Sequence, residues 1–349
     1  MWSAVRPQGR LFHTRILRHA IDKDGQFFQR FPGSRTSLRA ANGMVMSSPY
    51  TPPQEHRLLG IGLALCAYFM FTGIDSSAKW LGQVGISFVQ IVFLRYAIHL
   101  VLVAAVHLPR HGRGMVRSRN LRLQFFRALA LLGATMCNFL AVQYLPLTVT
   151  GSIAFTVPLM ICALSVPLLG EQVGWRRWSA IGVGFLGVLV IVRPGTDAFH
   201  PATLLCLVAA LSTAFYMLFT RKVSSFDSAA TSQFYVGIFA TMFLLPVVPF
   251  FWSFSTTADG WFAFFAIGLF GFLGHQLITM ASGLAPAAVL APFSYFQIFF
   301  MAAASWLIFH QPPDVWLYVG APIVIGSGFY IWLRERNLAK PAALVVAER

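Results

Sequence analysis

The sequence predicts an all-α integral membrane protein in which ten transmembrane helices form two inverted repeats of five helices. The chain of 349 residues is 57% hydrophobic and only 11% charged, whereas a soluble domain is about 45–50% apolar and about 25% charged. The apolar residues lie in long runs, each close to the roughly 20 residues that cross a bilayer as a helix. One pattern of residues also occurs twice, about 140 positions apart.

Ten apolar segments follow residue 57 and are separated by short loops. Their approximate limits are 58–78, 86–107, 124–144, 147–169, 178–193, 201–220, 229–251, 260–280, 287–309 and 315–333. The four cysteines all lie inside these segments and have no spacing typical of a metal site, so we read them as packing residues. No metal or cofactor is predicted.

The repeat is clearest where the fourth and fifth segments are compared with the ninth and tenth. The matching pairs are Pro146 with Pro286, Ser165 with Ser305, and Glu171 with Gln311. Because five is an odd number, the second copy must cross the membrane in the opposite direction to the first. Inverted repeats are typical of carriers that work by alternating access around a central site. The predicted repeats are residues 57–195 and 196–336.

The distribution of basic residues predicts the orientation, because Lys and Arg accumulate in cytoplasmic loops. If both termini are cytoplasmic, all 26 Lys and Arg residues except Lys79, Arg95 and Arg193 lie on or near the cytoplasmic side. The same bias explains the net charge of +15 without a nucleic-acid partner. We therefore expect a multi-pass protein of the bacterial cell inner membrane with both termini in the cytoplasm.

The two ends of the chain are predicted to lie outside the membrane. Residues 1–56 are basic and become rich in Gly, Ser and Pro, so we expect a disordered cytoplasmic tail. The alternative is an overlong gene prediction with the true start at Met44 or Met46, and the sequence leaves both open. Residues 337–349 are predicted as a C-terminal cytoplasmic tail.

Arg95 is the outstanding charged residue, because it lies roughly 14 Å from the outer end of its helix. A charge near mid-membrane costs at least about 2.5 kcal/mol and is expected to face a partner or a wet cavity. Arg95 is therefore either an anion anchor or gating residue, or a member of a structural ion pair, for which Asp75 is the candidate partner. Asp75 and Lys79 are spaced i, i+4 and can also pair with each other, which is the favoured interpretation.

Polar and aromatic side chains of the third, fourth, eighth and ninth segments are the predicted substrate-binding residues. For each one, ordinary hydrogen bonding between helices is the alternative. His275 lies in mid-helix, where it either carries a proton or, as we favour, makes a helix contact. The full set of candidates is Arg95, Asn138, Gln143, Tyr144, Phe155, Thr156, His275, Gln276, Phe293, Tyr295 and Gln297.

Several short motifs occur in one order along the chain. They are Asp75-Ser76-Ser77-Ala78-Lys79-Trp80, Phe93-Leu94-Arg95-Tyr96, Pro146, Gly170-Glu171, and the glycines Gly182, Gly184 and Gly187. With these motifs, residues 57–336 resemble the drug/metabolite transporter superfamily, in its EamA-like family. The resemblance implies two repeats, transport of small metabolites such as amino acids, nucleosides or vitamins, and a cavity between the third, fourth, eighth and ninth helices. Gln311 departs from the family's glutamate.

We therefore expect a secondary active transporter that moves a small organic metabolite by alternating access. The alternatives are a membrane-embedded enzyme and a channel-like subunit without alternating access. The sequence contains neither a nucleotide-binding P-loop nor a nucleophile–base pair, so an enzyme is not the prediction. The expected partners are a small-molecule substrate and the lipid bilayer. A coupling proton is left open, and so is the choice between monomer and homodimer.

Overall fold

The computed structural model describes residues 54–169, 174–196, 199–253, 257–285 and 287–339. Nearly all of the predicted N-terminal tail lies outside these ranges, as do Glu171, Pro286 and the last ten residues. Within them the chain is all-helical, and ten helices, here numbered α1 to α10, follow the ten predicted segments.

The bounds of the helices are as follows. The first copy contains α1 Gln54–Gln83, α2 Phe88–His111, α3 Leu121–Tyr144, α4 in two parts, Leu147–Ala154 and Val157–Leu169, and α5 Trp175–Val192. The second copy contains α6 Ala202–Val223, α7 Ala229–Leu244, α8 Ala258–Leu284, α9 as Ala287–Leu290, the 3₁₀ turn Ala291–Phe296 and Gln297–Leu307, and α10 Val315–Ala339. Eight helices are long and apolar enough to cross a membrane, and α7 and the last part of α9 are shorter.

Several helices differ from their predicted limits by three residues or more, among them α1, α3 and α7. Helix α1 runs through Gln83, so Lys79, as well as Asp75, lies inside it. Helix α3 starts at Leu121, three residues before its predicted limit, so Arg127 lies further inside it than the sequence indicated. Helix α7 stops at Leu244 rather than at residue 251, shortly before Pro246, which has no N–H to continue the hydrogen-bond ladder.

Helix α4 is broken in the middle of the predicted span. Phe155 and Thr156 form a tight turn in which the N–H of Thr156 donates to the carbonyl of Ile153 at 2.9 Å. The cause is Pro158, which has no N–H for the carbonyl of Ala154 and whose ring would clash with that carbonyl in a regular helix. Helix α9 breaks at the equivalent place. Regular helix resumes at Val157 in α4 and at Gln297 in α9, and these two residues are counterparts in the repeat.

The two copies also pack equivalently. Helix α1 packs on α8, and α3 packs on α6, which is the same contact after a shift of five helices. Helix α2 also packs on α8, and α3 on α7, which is again one contact repeated after a shift of five helices. Three further pairs, α2 with α7, α4 with α9 and α5 with α10, join a helix to its own counterpart. This is the pattern of a two-fold pseudosymmetric pair, so the ten helices form two five-helix repeats whose odd number of spans makes them inverted.

Close packing of α5 on α10 depends on glycine. A Cβ on Gly187 would lie 3.0 Å from the carbonyl oxygen of Gly320, and a Cβ on Gly320 would lie 2.6 Å from that of Gly187. The 2.6 Å distance is too short for a Cβ and the 3.0 Å distance is tighter than nearly all Cβ contacts, so the two backbones meet directly. Gly182 and Gly326 have open space around them and do not serve this packing.

Candidate functional site

A central cavity of about 440 Å³ lies among α1, α2, α3, α4, α6, α8 and α9. Both copies of the repeat contribute to it. Its wall is mostly apolar and aromatic and carries a small number of polar groups, and its volume falls in the range typical of small-molecule sites.

The breaks in α4 and α9 lie at this cavity. Ala154, Phe155 and Pro158 line it from α4, and Tyr295 and Gln297 line it from α9. The rings of Phe155 and Tyr295, which occupy equivalent positions in the two copies, meet edge to face with centroids 5.2 Å apart. Interrupted helices place peptide groups that lack intrahelical partners beside a ligand, which is the arrangement found in many transporter sites.

Arg95 reaches the cavity from α2 and is 7% exposed. Its Nη1 donates to Thr135 Oγ1 at 3.2 Å, and its guanidinium carbon lies 4.5 Å from the centre of the Tyr96 ring. Its Nε is buried and has no hydrogen-bond partner among the described residues. Among the described residues, no carboxylate oxygen lies within 4.0 Å of a side-chain nitrogen of Arg95. Arg95 and Asp75 therefore do not form a direct ion pair.

Asp75 and Asn138 form one polar pair on the cavity wall. Asn138 Nδ2 donates to Asp75 Oδ1 at 2.9 Å, which joins α1 to α3. The bond leaves the second carboxylate oxygen of Asp75 and the amide oxygen of Asn138 for other partners. The pair can therefore accept hydrogen bonds from a molecule in the cavity.

Lys79 does not pair with Asp75, and the favoured interpretation was wrong. Lys79 is 1% exposed, and its Nζ donates to the carbonyl oxygens of Val142 at 3.0 Å and Leu145 at 2.6 Å. These carbonyls lie at the C-terminal end of α3, where the last turn has no intrahelical donors and carries partial negative charge. A buried ammonium group is better satisfied by two such acceptors than by a neighbour on its own helix. Lys79 does not line the cavity.

The histidines have different surroundings. His275 lines the cavity, with its ring centroid 5.3 Å from that of Phe71 and 6.0 Å from that of His99. His107 lies away from the cavity and its Nε2 is 3.1 Å from Gln276 Oε1, a contact between α2 and α8. Of these three histidines, His275 is the one that lines the central cavity.

The predicted substrate-binding residues divide into two groups. Those that line the cavity are Arg95, Asn138, Phe155, His275, Tyr295 and Gln297, and those that do not are Gln143, Tyr144, Thr156, Gln276 and Phe293. Tyr144 is 59% exposed and stacks on His200, because it lies roughly 120° around α3 from Asn138. The Thr156 hydroxyl donates to the carbonyl of Ile153 at 2.7 Å within its own turn. A binding role for the first group stays a prediction.

Several residues that line the cavity were not among the predicted candidates. They include Tyr68, Phe71, Thr135, Thr150, Thr213, Tyr216 and Met301. A signal for some of them was present, because Thr135 and Asn138, like Thr213 and Tyr216, are spaced i, i+3 and share one face of a helix. Tyr68, Phe71 and Asp75 follow the same rule on α1.

Arg127 was also missed, and it is the second buried arginine of the described chain. It is 3% exposed. Its guanidinium donates to Thr220 Oγ1 at 2.7 Å, the carbonyl of Ser232 at 2.9 Å and the hydroxyl of Tyr216 at 3.1 Å. Arg127 thus joins α3 to α6 and α7. Its proximity in sequence to a basic loop hid this role.

A polar network around Asp227 continues from Arg127 to the loops. Asp227 accepts hydrogen bonds from Ser118 Oγ at 2.5 Å, Gln124 Nε2 at 2.9 Å and the N–H of Arg119 at 3.0 Å. Burial alone would raise the pKa of this carboxyl, but the hydrogen bonds from Ser118, Gln124 and Arg119 outweigh it and hold the pKa below its ordinary value. The network ties the loop after α2 to the loop between α6 and α7.

Comparison with known proteins gives one family and several relatives. The EamA-like transporter family matches the chain twice, over residues 58–193 and 200–333. A protein of Rickettsia felis named S-adenosylmethionine uptake transporter is 28% identical over 284 residues, which cover 80% of this chain and 94% of that one. A riboflavin transporter of Vibrio cholerae is 28% identical over 295 residues, covering 82% and 99%. A pseudopaline exporter of Pseudomonas aeruginosa is 26% identical, covering 76% and 93%.

A solved crystal structure has the same fold. It superposes on this chain with a TM-score of 0.56 at 19% sequence identity, covering 81% of this chain and 98% of the other. At this level of identity the likeness concerns the arrangement of the helices alone.

Proposed function

Since the chain belongs to the EamA-like transporter family, we propose that it carries a small organic metabolite across the bacterial inner membrane and that the central cavity is its substrate site. The observation that carries the proposal is the meeting of the two helix breaks at that cavity. Both repeats contribute an interrupted helix, α4 or α9, to one site. A site shared by two inverted repeats is the arrangement that alternating access requires.

The lining of the cavity indicates the chemistry of the substrate. Aromatic rings such as Phe71, Phe155 and Tyr295 offer faces for a flat or amphipathic molecule. Asn138 and Gln297 provide amides for hydrogen bonds, and Arg95 provides a cation for an acidic group. The relatives named for S-adenosylmethionine, riboflavin and pseudopaline support a polar organic substrate of this kind.

The proposal includes an orientation and an energy source. Both termini lie in the cytoplasm, as the Lys and Arg distribution supports. His275 is the candidate carrier of a coupling proton, because it is a titratable side chain at the cavity. Uptake driven by an imposed pH gradient should then be lost in His275→Gln, while binding of substrate, measured as a rise in melting temperature, is retained.

Purified protein in proteoliposomes tests the proposed function. A panel of amino acids, nucleosides and vitamins is first screened for compounds that raise the melting temperature, and each hit is then assayed for uptake. We expect uptake of at least one compound to saturate with its concentration, as a carrier requires. Uptake that rises linearly with concentration would identify a channel and contradict the proposal.

Matched variants locate the site. Asn138→Leu and Gln297→Leu each remove an amide from the cavity wall. Each should raise the apparent KM roughly tenfold, because the loss of one hydrogen bond costs about 1.4 kcal/mol and this energy corresponds to a factor of ten. Tyr144→Phe is the control, because it also removes a hydrogen-bonding group, but from an exposed side chain outside the cavity. It should leave the KM unchanged. Equal effects of all three variants would contradict the placement of the site.

A further inference from the structure

A second, smaller chamber lies beside the central cavity, between Arg95 and Arg127. It has about 20 Å³ of space, which is room for one water-sized particle. Arg95, Tyr216 and His275 line both the chamber and the central cavity. The chamber therefore adjoins the proposed substrate site, but it is too small for an organic metabolite.

The lining of the chamber carries two positive charges and no negative charge. Two guanidinium groups line it, and its lining contains no Asp or Glu. Among the described residues, neither Arg95 nor Arg127 has a carboxylate within 4.0 Å. Asp75, on the wall of the neighbouring central cavity, interacts electrostatically with Arg95 from a greater distance. Because neither guanidinium is in direct contact with a carboxylate, an anion in this space would still lower the electrostatic cost of burying both cations.

Hydrogen-bonding groups at the chamber also lack partners. Arg95 Nε is buried and has no acceptor among the described residues. Because the side chain is only 7% exposed, bulk water does not readily supply an acceptor. Gln233, 9% exposed, has an amide Oε1 that is likewise unpartnered. Gln233 also lines the chamber. Since the two ends of an amide are assigned rather than observed, its amide can serve as a donor with its two ends exchanged.

Gly271 leaves the space that such a ligand would fill. A Cβ on Gly271 would lie 4.0 Å from Arg95 Nε, 4.0 Å from His99 Nδ1 and 3.9 Å from Ile74 Cδ1. These are ordinary contact distances. An alanine would therefore fit the backbone while occupying the space in front of the unpartnered donor.

We propose that the chamber binds a small anionic group, held by the guanidiniums of Arg95 and Arg127. The group is a free monatomic anion such as chloride, or a carboxylate whose parent molecule occupies the central cavity. The two sources share the same chemistry, which is a compact negative charge that accepts charge-assisted hydrogen bonds. Binding of the free ion does not depend on the proposed transport activity, so the two proposals fail separately.

The melting temperature of the purified full-length protein in detergent measures the binding. Sodium chloride, sodium acetate and sodium gluconate are compared at equal ionic strength, because gluconate is too large for the chamber. We expect chloride or acetate to give a saturable rise of about 2–4 °C over gluconate. Chloride identifies the free ion as the ligand, and acetate without chloride identifies the carboxylate. Equal melting temperatures in the three salts at every concentration would overturn the proposal.

Two glycine variants of the same helix, α8, make the test specific. Gly271→Ala fills the chamber and should weaken the apparent affinity for the stabilising anion at least tenfold. Gly283→Ala adds the same methyl group where nothing lies within 4 Å, so it should keep the wild-type affinity. Both variants should reach the membrane and melt cooperatively. A Gly271→Ala protein that responds to the anion like wild type would show that the anion binds elsewhere, and would overturn the proposal.

Discussion

Lys79 gives the sharpest test of how the first helix is held to the rest of the protein. Lys79→Met keeps the aliphatic length of the side chain and removes the ammonium group. The variant loses two hydrogen bonds from a charged donor, to Val142 and Leu145, each worth about 1.5–3 kcal/mol. Part of this is regained because no charge is buried any longer. We expect a net loss of about 2–4 kcal/mol, or a fall in melting temperature of roughly 5–10 °C.

A double-mutant cycle with Asp75 distinguishes this account from a local ion pair. The melting temperatures of Lys79→Met, Asp75→Asn and the double variant are measured in one detergent. Because the two side chains have different partners, we expect their effects to add to within about 0.5 kcal/mol. An ion pair between them would instead make the second substitution nearly harmless after the first.

Lys222→Met is the matched control, because Lys222 is exposed near the C-terminal end of α6. It should change the melting temperature by no more than about 1–2 °C, as surface substitutions usually do. Two results would refute the reasoning. One is a Lys79→Met protein as stable as wild type, and the other is a coupling with Asp75 above about 1 kcal/mol.

Three further predictions concern other parts of the chain. Arg95→Lys keeps the charge but loses the planar fork of donors, so it should raise the apparent KM for uptake about tenfold at normal protein abundance. Normal stability and kinetics of Arg95→Ala would contradict both roles considered for this residue. The lowered pKa of Asp227 means that its stabilising contribution is present above the ordinary carboxyl range and is lost as the pH falls through the lowered value. Melting temperatures measured against pH should therefore drop in acid for wild type and stay flatter for Asp227→Asn, and identical curves would count against the network. Reporter fusions after Pro194 and Asp259 should report the outer side and one after Arg177 the cytoplasm; a cytoplasmic signal at either of the first two would contradict the orientation.

The ten helices and the repeat could be predicted from the sequence because the bilayer imposes a simple local rule. A spanning helix must be apolar over about 20 residues and must satisfy its own backbone, so each helix is visible within its own segment. The repeat is visible for the same reason, since equivalent positions such as Pro146 and Pro286 keep a constant spacing. The break in α4 was also accessible, because Pro158 disrupts the helix through its immediate neighbours.

The tertiary structure alone decided which side chains meet. The carbonyls that bind Lys79 are 63 and 66 residues away along the chain, and Arg127 is buried by partners on two other helices. Tyr144 faces outward although Asn138, on the same helix, lines the cavity. In a soluble helix the polar face would mark the side that meets water. Here the lipid and the protein interior are equally apolar, so hydrophobic periodicity does not distinguish the face toward the cavity from the face toward the membrane.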